Sequence, residues 1–236
     1  MTIAQTKPQL SIVVPVYNEG ANVEPLAVEI RETLAGRLHY ELIFVDDGSI
    51  DDTPDEVERV CGLDSTVSLS QHDVYRGQSA AVRTGVQAAN ADIIAVLDGD
   101  GQNDPKDIPS LYGHLTMIPS LRLVIGHRRQ RKDNWLRRAS SRVANSIRAG
   151  LLGDGVSDTS CGLKAFYRKE YLALPAFDHM HRFLPALVQR SGGKVYAIPV
   201  NHRARLSGTS KYDANNRLSV CIADTLGVMW LQNRRL

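Results

Sequence analysis

The chain is predicted to be an α/β protein with a mostly parallel central sheet flanked by helices. Short apolar, β-branched runs recur along it, helix-like stretches separate them, and acidic turns follow several runs directly.

Residues 10–16, Leu-Ser-Ile-Val-Val-Pro-Val, open the series as a buried strand, and comparable runs occupy 41–45, 92–97, 121–125 and 194–200. Helical stretches fall at 21–34, at 54–61 behind the cap candidate Thr53, at 78–89 and at 108–116. This alternation over the first 125 residues implies a parallel sheet wrapped on both faces. Ligands of such sheets bind beyond the carboxyl ends of the strands. The first run ends in Pro15-Val16-Tyr17-Asn18-Glu19, the second is followed by Asp46-Asp47-Gly48-Ser49, and the third by Asp98-Gly99-Asp100-Gly101-Gln102. Five carboxylates, Glu19, Asp46, Asp47, Asp98 and Asp100, are therefore expected along one edge.

A length of 236 residues with 43% apolar content suits one core, and the expectation is a single domain over 1–236. Cys61, Cys161 and Cys221 are odd in number, far apart and without metal-ligand spacing, so free thiols in a reducing compartment are expected. The cytoplasm fits this best. No stretch reaches the ~20 apolar residues that a membrane-spanning helix requires. The net charge of +2 conceals a division: residues 1–110 hold 7 basic and 19 acidic side chains, residues 111–236 hold 21 and 7. Two solvated faces would explain it, as would a polyanionic partner for the second half.

Asp98 and Asp100, one glycine apart after an apolar strand, can converge on one point, and unpaired they would repel. A hard divalent cation, Mg²⁺ or Mn²⁺, removes that repulsion, and Gln102 offers one more oxygen. The alternative is an Asx-rich turn in which Asp104 caps the helix after Pro105. Acidic groups at 46 and 47 can bond ribose hydroxyls or base N–H groups, or simply form a solvent turn; Asp51 and Asp52 are given no chemistry. Tyr17 either stacks on a base or roofs the sheet edge. Arg76-Gly77-Gln78 opens a helix whose N–H groups could meet an anion.

In order, Ile12-Val13-Val14-Pro15-Val16-Tyr17-Asn18-Glu19, Val45-Asp46-Asp47-Gly48-Ser49, Gly77-Gln78-Ser79-Ala80-Ala81 and Leu97-Asp98-Gly99-Asp100-Gly101-Gln102 resemble the nucleotide-sugar-binding half of glycosyltransferase family 2. The resemblance implies a GT-A fold, with Asp98-Gly99-Asp100 as the metal and diphosphate motif and Gln102 as a further metal ligand. Pro15, Tyr17, Glu19 and one or both of Asp46 and Asp47 would hold the nucleoside. The later segments Gly126-His127-Arg128, Arg137-Arg138-Ala139-Ser140-Ser141-Arg142, Asp158-Thr159-Ser160-Cys161-Gly162 and Arg205 through Gly208-Thr209-Ser210-Lys211 resemble the dolichyl- and polyprenyl-phosphate sugar synthases within that family. The likeness covers about 10–212, with 10–105 as the donor half, 106–212 as the acceptor half and 213–236 as an amphipathic tail. It places Arg128, Arg137 and Ser141 on the acceptor phosphate and Arg205 and Lys211 on the donor diphosphate. His127 and Leu206-Ser207 depart from the pattern, and leave open whether Arg203 or Arg205 meets phosphate. His181-Arg182-Phe183-Leu184-Pro185 reads as a lip of the acceptor site or as a buried helix start.

The implied reaction moves a hexose from a GDP- or UDP-sugar to a lipid phosphate with inversion. A lipid monophosphate is largely dianionic near neutrality and needs no base, which suits an arginine-rich second half. Two basic amphipathic segments, 135–152 and 218–236, would either lie in lipid headgroups or pack on the core. The former gives peripheral attachment to the inner face of the membrane. Competing readings are a metal-dependent nucleotidyltransferase, which would want a Gly-rich basic loop after the first strand, and a non-catalytic nucleotide-sugar-binding module, which leaves the basic half unexplained. Nucleic acid is not expected as a partner, because the basic residues lack interleaved aromatics. Oligomeric state is left open.

Overall fold

In the computed structural model, residues 7–128, 150–156, 158–205 and 217–234 are described. They form strands β1 (Leu10–Val16), β2 (Tyr40–Asp46), β3 (Val67–Gln71), β4 (Ile93–Val96), β5 (Leu121–Arg128), β6 (Lys164–Tyr167) and β7 (Lys194–Val200). Helices are α1 (Gly20–Leu34), α2 (Thr53–Leu63), α3 (Gln78–Ala88), α4 (Ile108–Met117), α5 (Arg168–Ala173), α6 (Leu184–Arg190) and α7 (Arg217–Gln232). Short 3₁₀ turns cover Pro105–Asp107 and Met180–Arg182.

The strands join in the order β3-β2-β1-β4-β6-β5-β7. β1 pairs in parallel with β2 and β4, β2 with β3, and β5 with β7. β6 runs antiparallel between β4 and β5. Side chains alternate across the pleat: Ile12 and Val14 enter one apolar layer with α1, α2 and α4, whereas Val13 enters the other with α3, α5 and α6. Burial on both faces is why β1 reads as a continuous apolar run.

The predicted strands and the four helices predicted between residues 21 and 116 form, with ends shifted by a few residues. β3 and β6 were not expected. Val67-Ser68-Leu69-Ser70-Gln71 alternates apolar with polar residues, as an edge strand should, and β6 has four residues and begins with a lysine. Thr53 is not the cap of α2; it is the first helical residue, and its Oγ1 accepts from Glu19 N at 2.8 Å. Asp104 does cap the 3₁₀ turn after it, accepting from Lys106 N at 3.1 Å.

Candidate active site

The loops after β1 and β2 are clipped together by their own polar groups. Asn18 N donates to Ser49 Oγ (2.8 Å), and Ile50 N to Asn18 Oδ1 (2.8 Å). This fixes Tyr17 and Glu19 beside the end of β2. Tyr17 meets Tyr75, ring centroids 4.7 Å apart with the planes tilted by 50°. Tyr75 comes close because Gly48, at φ +74, lets the two loops touch: a Cβ there would stand 2.5 Å from the Val74 carbonyl carbon.

Asp46 and Asp47 are both buried. Asp46 accepts from Ser49 Oγ and from Gln71 Nε2 (3.3 Å). Asp47 accepts from Arg76 N (2.9 Å), Gly77 N (2.8 Å) and His72 Nδ1 (2.8 Å). The anion that the N–H groups before α3 receive is thus the protein's own carboxylate. Asp47 still forms part of the cavity wall, whereas Asp46 is buried and does not line it.

Asp98 follows β4 across one residue. Its Oδ1 accepts from Gln78 Nε2 at 2.7 Å, and its backbone N–H donates to Asn103 Oδ1 at 3.0 Å. Burial raises its carboxyl above the ordinary carboxylate range and Asp100 raises it further, while Lys164 and Arg128 act in the opposite sense. Gly162 faces it so closely that a Cβ there would sit 2.1 Å from Asp98 Oδ2. Asp100 accepts from Gln102 N (3.1 Å) on Oδ1 and from Arg205 Nη2 (2.9 Å) on Oδ2; Arg205 Nη1 reaches Glu19 Oε1 at 3.1 Å. Glu19 Oε2 accepts from Asn22 Nδ2 at 2.6 Å. Gln102 meets Asp100 through its backbone, and its carbonyl accepts from Arg203 N at 2.9 Å.

These groups enclose one open cavity of about 360 Å³. Pro15, Tyr17, Glu19, Asp47, Asp98, Gly99, Asp100 and Arg205 line it, together with Val16, Tyr75 and Gln78. Gln102 is not in the lining. Arg203 pairs with Glu29 (2.8 Å) and with Asn103 O (3.0 Å), so of the two arginines left open it is Arg205 that faces the cavity. Among the described residues, no group of three or more His, Cys, Asp or Glu side chains forms a metal cage.

Arg128 ends β5. Its Nε and Nη2 both lie 2.7 Å from the Asp158 carboxylate, and Nη2 is 3.3 Å from Ser160 Oγ. The two-pronged edge that the sequence reading reserved for an acceptor phosphate is therefore held by Asp158. Arg137, Ser141 and Lys211, with most of the 135–152 segment, lie outside the described residues. Gln78, Tyr75, Asp158, Gly162 and Lys164 were not assigned roles from sequence, although three of them stood inside the quoted motifs. Lys164 is buried at the start of β6 and donates to Cys161 O; burial lowers its pKa. His181 sits with Nδ1 2.7 Å from Ser79 Oγ, and burial, with Lys164 and Arg182 adding to it, holds its pKa well below that of an ordinary histidine.

The sheet order and the cavity at its carboxyl edge define a GT-A fold. Glucosyl-3-phosphoglycerate synthase from Mycobacterium tuberculosis, solved with Mn²⁺, UDP-glucose and glycerol 3-phosphate, shares this fold at a TM-score of 0.73 and 20% identity, over 95% of this chain and 80% of that one. The chain belongs to Glycosyl transferase family 2, whose profile matches residues 11–173. It is 36% identical over 228 residues to the dodecaprenyl-phosphate galacturonate synthase of Rhizobium johnstonii, covering 94% of this chain and 67% of that protein. To the undecaprenyl-phosphate 4-deoxy-4-formamido-L-arabinose transferase of Proteus mirabilis it is 31% identical over 207 residues, covering 86% and 63%. The chain thus spans about two thirds of the length of these relatives. Among the described residues, no helix is long and apolar enough to cross a membrane.

Proposed function

We propose that this protein transfers a hexose from a UDP- or GDP-sugar to a polyprenyl- or dolichyl-type lipid phosphate, using Mg²⁺ or Mn²⁺. The observation that carries the reading is the convergence of Tyr17, Glu19, Asp98, Asp100 and Arg205 on one cavity, in a chain whose relatives are named for polyprenyl-phosphate sugar transfer. A nucleotidyltransferase would want a basic, Gly-rich loop after β1. Here β1 is followed by Tyr17-Asn18-Glu19, clipped to Ser49 and Thr53.

Tyr17 and Tyr75 offer a stacking wall to the base, and Glu19 and Asp47 offer acceptors to the nucleoside. A divalent cation fits the donor set: two carboxylates stand on one wall of the cavity, and Asp100 already carries a cationic partner in Arg205. Asp98 and Asp100 would hold the ion, with donor phosphates completing its shell. When bound, it would offset charge gathering on the leaving diphosphate. Gln78 fixes the rotation of Asp98 through its 2.7 Å bond. Asp158 fixes Arg128 through Nε and Nη2, and Nη1 would be the atom that meets an acceptor phosphate. That phosphate is its own nucleophile, so no side chain need take a proton.

The test is transfer from a panel of UDP- and GDP-sugars to a polyprenyl phosphate, with and without EDTA, for the wild type and Asp100→Asn. Transfer abolished by EDTA and by the substitution is expected. Full activity of Asp100→Asn in EDTA would remove the carboxylate pair from the reaction.

A further inference from the structure

We infer that Arg205 stands in for the divalent cation in the unliganded protein, so that ion and diphosphate bind as a coupled pair rather than independently. The inference rests on the donor-site reading above and adds an order of events to it.

Arg205 bridges two acidic side chains from different loops, Glu19 Oε1 at 3.1 Å and Asp100 Oδ2 at 2.9 Å. Its side chain is 23% exposed and those carboxylates are 10% and 13% exposed, so the bridge is shielded more than a surface pair and is correspondingly stronger. The other oxygen of Asp100 accepts from Gln102 N at 3.1 Å. An ion arriving alone must therefore displace the guanidinium from Asp100 and leave Arg205 with a poorer partner. A diphosphate removes that cost. It supplies paired oxygens that suit the planar fork of a guanidinium, and it ligates the ion as well. Asp47 does not compete for Arg205, since His72 and two backbone N–H groups already satisfy it. By linkage, whatever factor the diphosphate lends to ion affinity, the ion lends to diphosphate affinity.

The experiment titrates the full chain with Mn²⁺, following the free-ion EPR signal, first alone and then with saturating inorganic pyrophosphate at matched free Mn²⁺. For the wild type, pyrophosphate should tighten Mn²⁺ binding by about tenfold or more, within the usual range of coupling between sites. Arg205→Gln should bind Mn²⁺ alone severalfold more tightly than the wild type and lose the part of the coupling that comes from moving the guanidinium, keeping the part that comes from direct ligation of the ion. Arg205→Lys, which keeps the charge without the fork, should fall between them and serves if the glutamine variant does not fold. Wild-type coupling with no gain in ion affinity on removing the arginine overturns the stand-in role alone. Absence of Mn²⁺ binding by the wild type, even with pyrophosphate, overturns the donor-site reading as well.

Discussion

Gly162→Ala is the smallest change that should reach the donor site from the second half of the chain. A Cβ at 162 would stand 2.1 Å from Asp98 Oδ2, 2.3 Å from its Cγ and 2.6 Å from Oδ1. Non-bonded carbons and oxygens do not approach within about 3 Å, so the carboxylate must retreat by roughly 1 Å or rotate away. It cannot do either freely, because Oδ1 is tied to Gln78 Nε2 at 2.7 Å and the backbone is tied to Asn103. Giving up the Gln78 bond and overpacking the floor of the cavity should cost about 1–3 kcal/mol of stability. The functional cost should be larger, since Mg²⁺ demands ligand distances near 2.1 Å and misplacing a reacting group by about 1 Å can cost on the order of 10²-fold. Initial rates of sugar transfer should fall by that order while urea unfolding shows a folded, mildly destabilised protein. A variant with wild-type rates and wild-type Mn²⁺ affinity would refute the claim that Asp98 must hold its present place.

Three further outcomes are expected. Arg128 and Asp158 form a shielded pair, their side chains 12% and 9% exposed, so Asp158→Ala should cost about 3 kcal/mol or more by leaving a guanidinium without its counter-charge; Arg128→Met in the same chain should recover part of this, and purely additive losses in urea unfolding would deny the coupling. The depressed pKa of His181 means that the unfolded chain takes up a proton that the folded chain refuses. Its contribution is whole above the ordinary histidine value of 6.5 and is lost as pH falls below it, at no more than about 1.4 kcal/mol per pH unit. His181→Gln should flatten the wild-type dependence between roughly pH 7 and pH 5, and identical slopes would exclude His181 as its source. Ile222, Leu226 and Trp230 recur every fourth residue on α7, are 55–57% exposed, and Arg234 lies over the Trp230 ring. Replacing all three with serine should reduce flotation with anionic vesicles, and unchanged flotation would assign membrane contact to another surface.

The strands that the sequence declares are those buried on both faces, because a parallel central strand has to be apolar at every position. β3 escapes since its serines face outward from an edge, and β6 since a buried lysine interrupts the apolar pattern at its start. The same logic divides the site. Asp98-Gly99-Asp100 and Pro15 through Glu19 are legible because each motif begins within two residues of a strand end. Tyr75 is not, for it lies in a polar loop and reaches the cavity through the contact that Gly48 permits. Arg128 and Asp158 are 30 residues apart, and no local spacing announces a pair closed by the fold.

Arg203 and Arg205 stand in different surroundings, and Arg205 lines the cavity. Two residues apart, they would share one face of a regular strand, yet here they meet different acidic partners. The backbone bond from Arg203 N to Gln102 O pins the segment so that Arg203 meets Glu29 and Arg205 meets Asp100. This also revises the meaning of the charge division along the chain. The acidic first half is answered in part within the molecule, by arginines of the second half that pair with Glu19, Glu29 and Asp100. In the sequence, the densest basic run of the second half is residues 129–149, which contain seven basic side chains against one acidic. Neutralising substitutions among those seven should weaken use of a lipid phosphate while leaving nucleotide binding intact, whereas a parallel loss of both would tie that segment to the donor cavity instead.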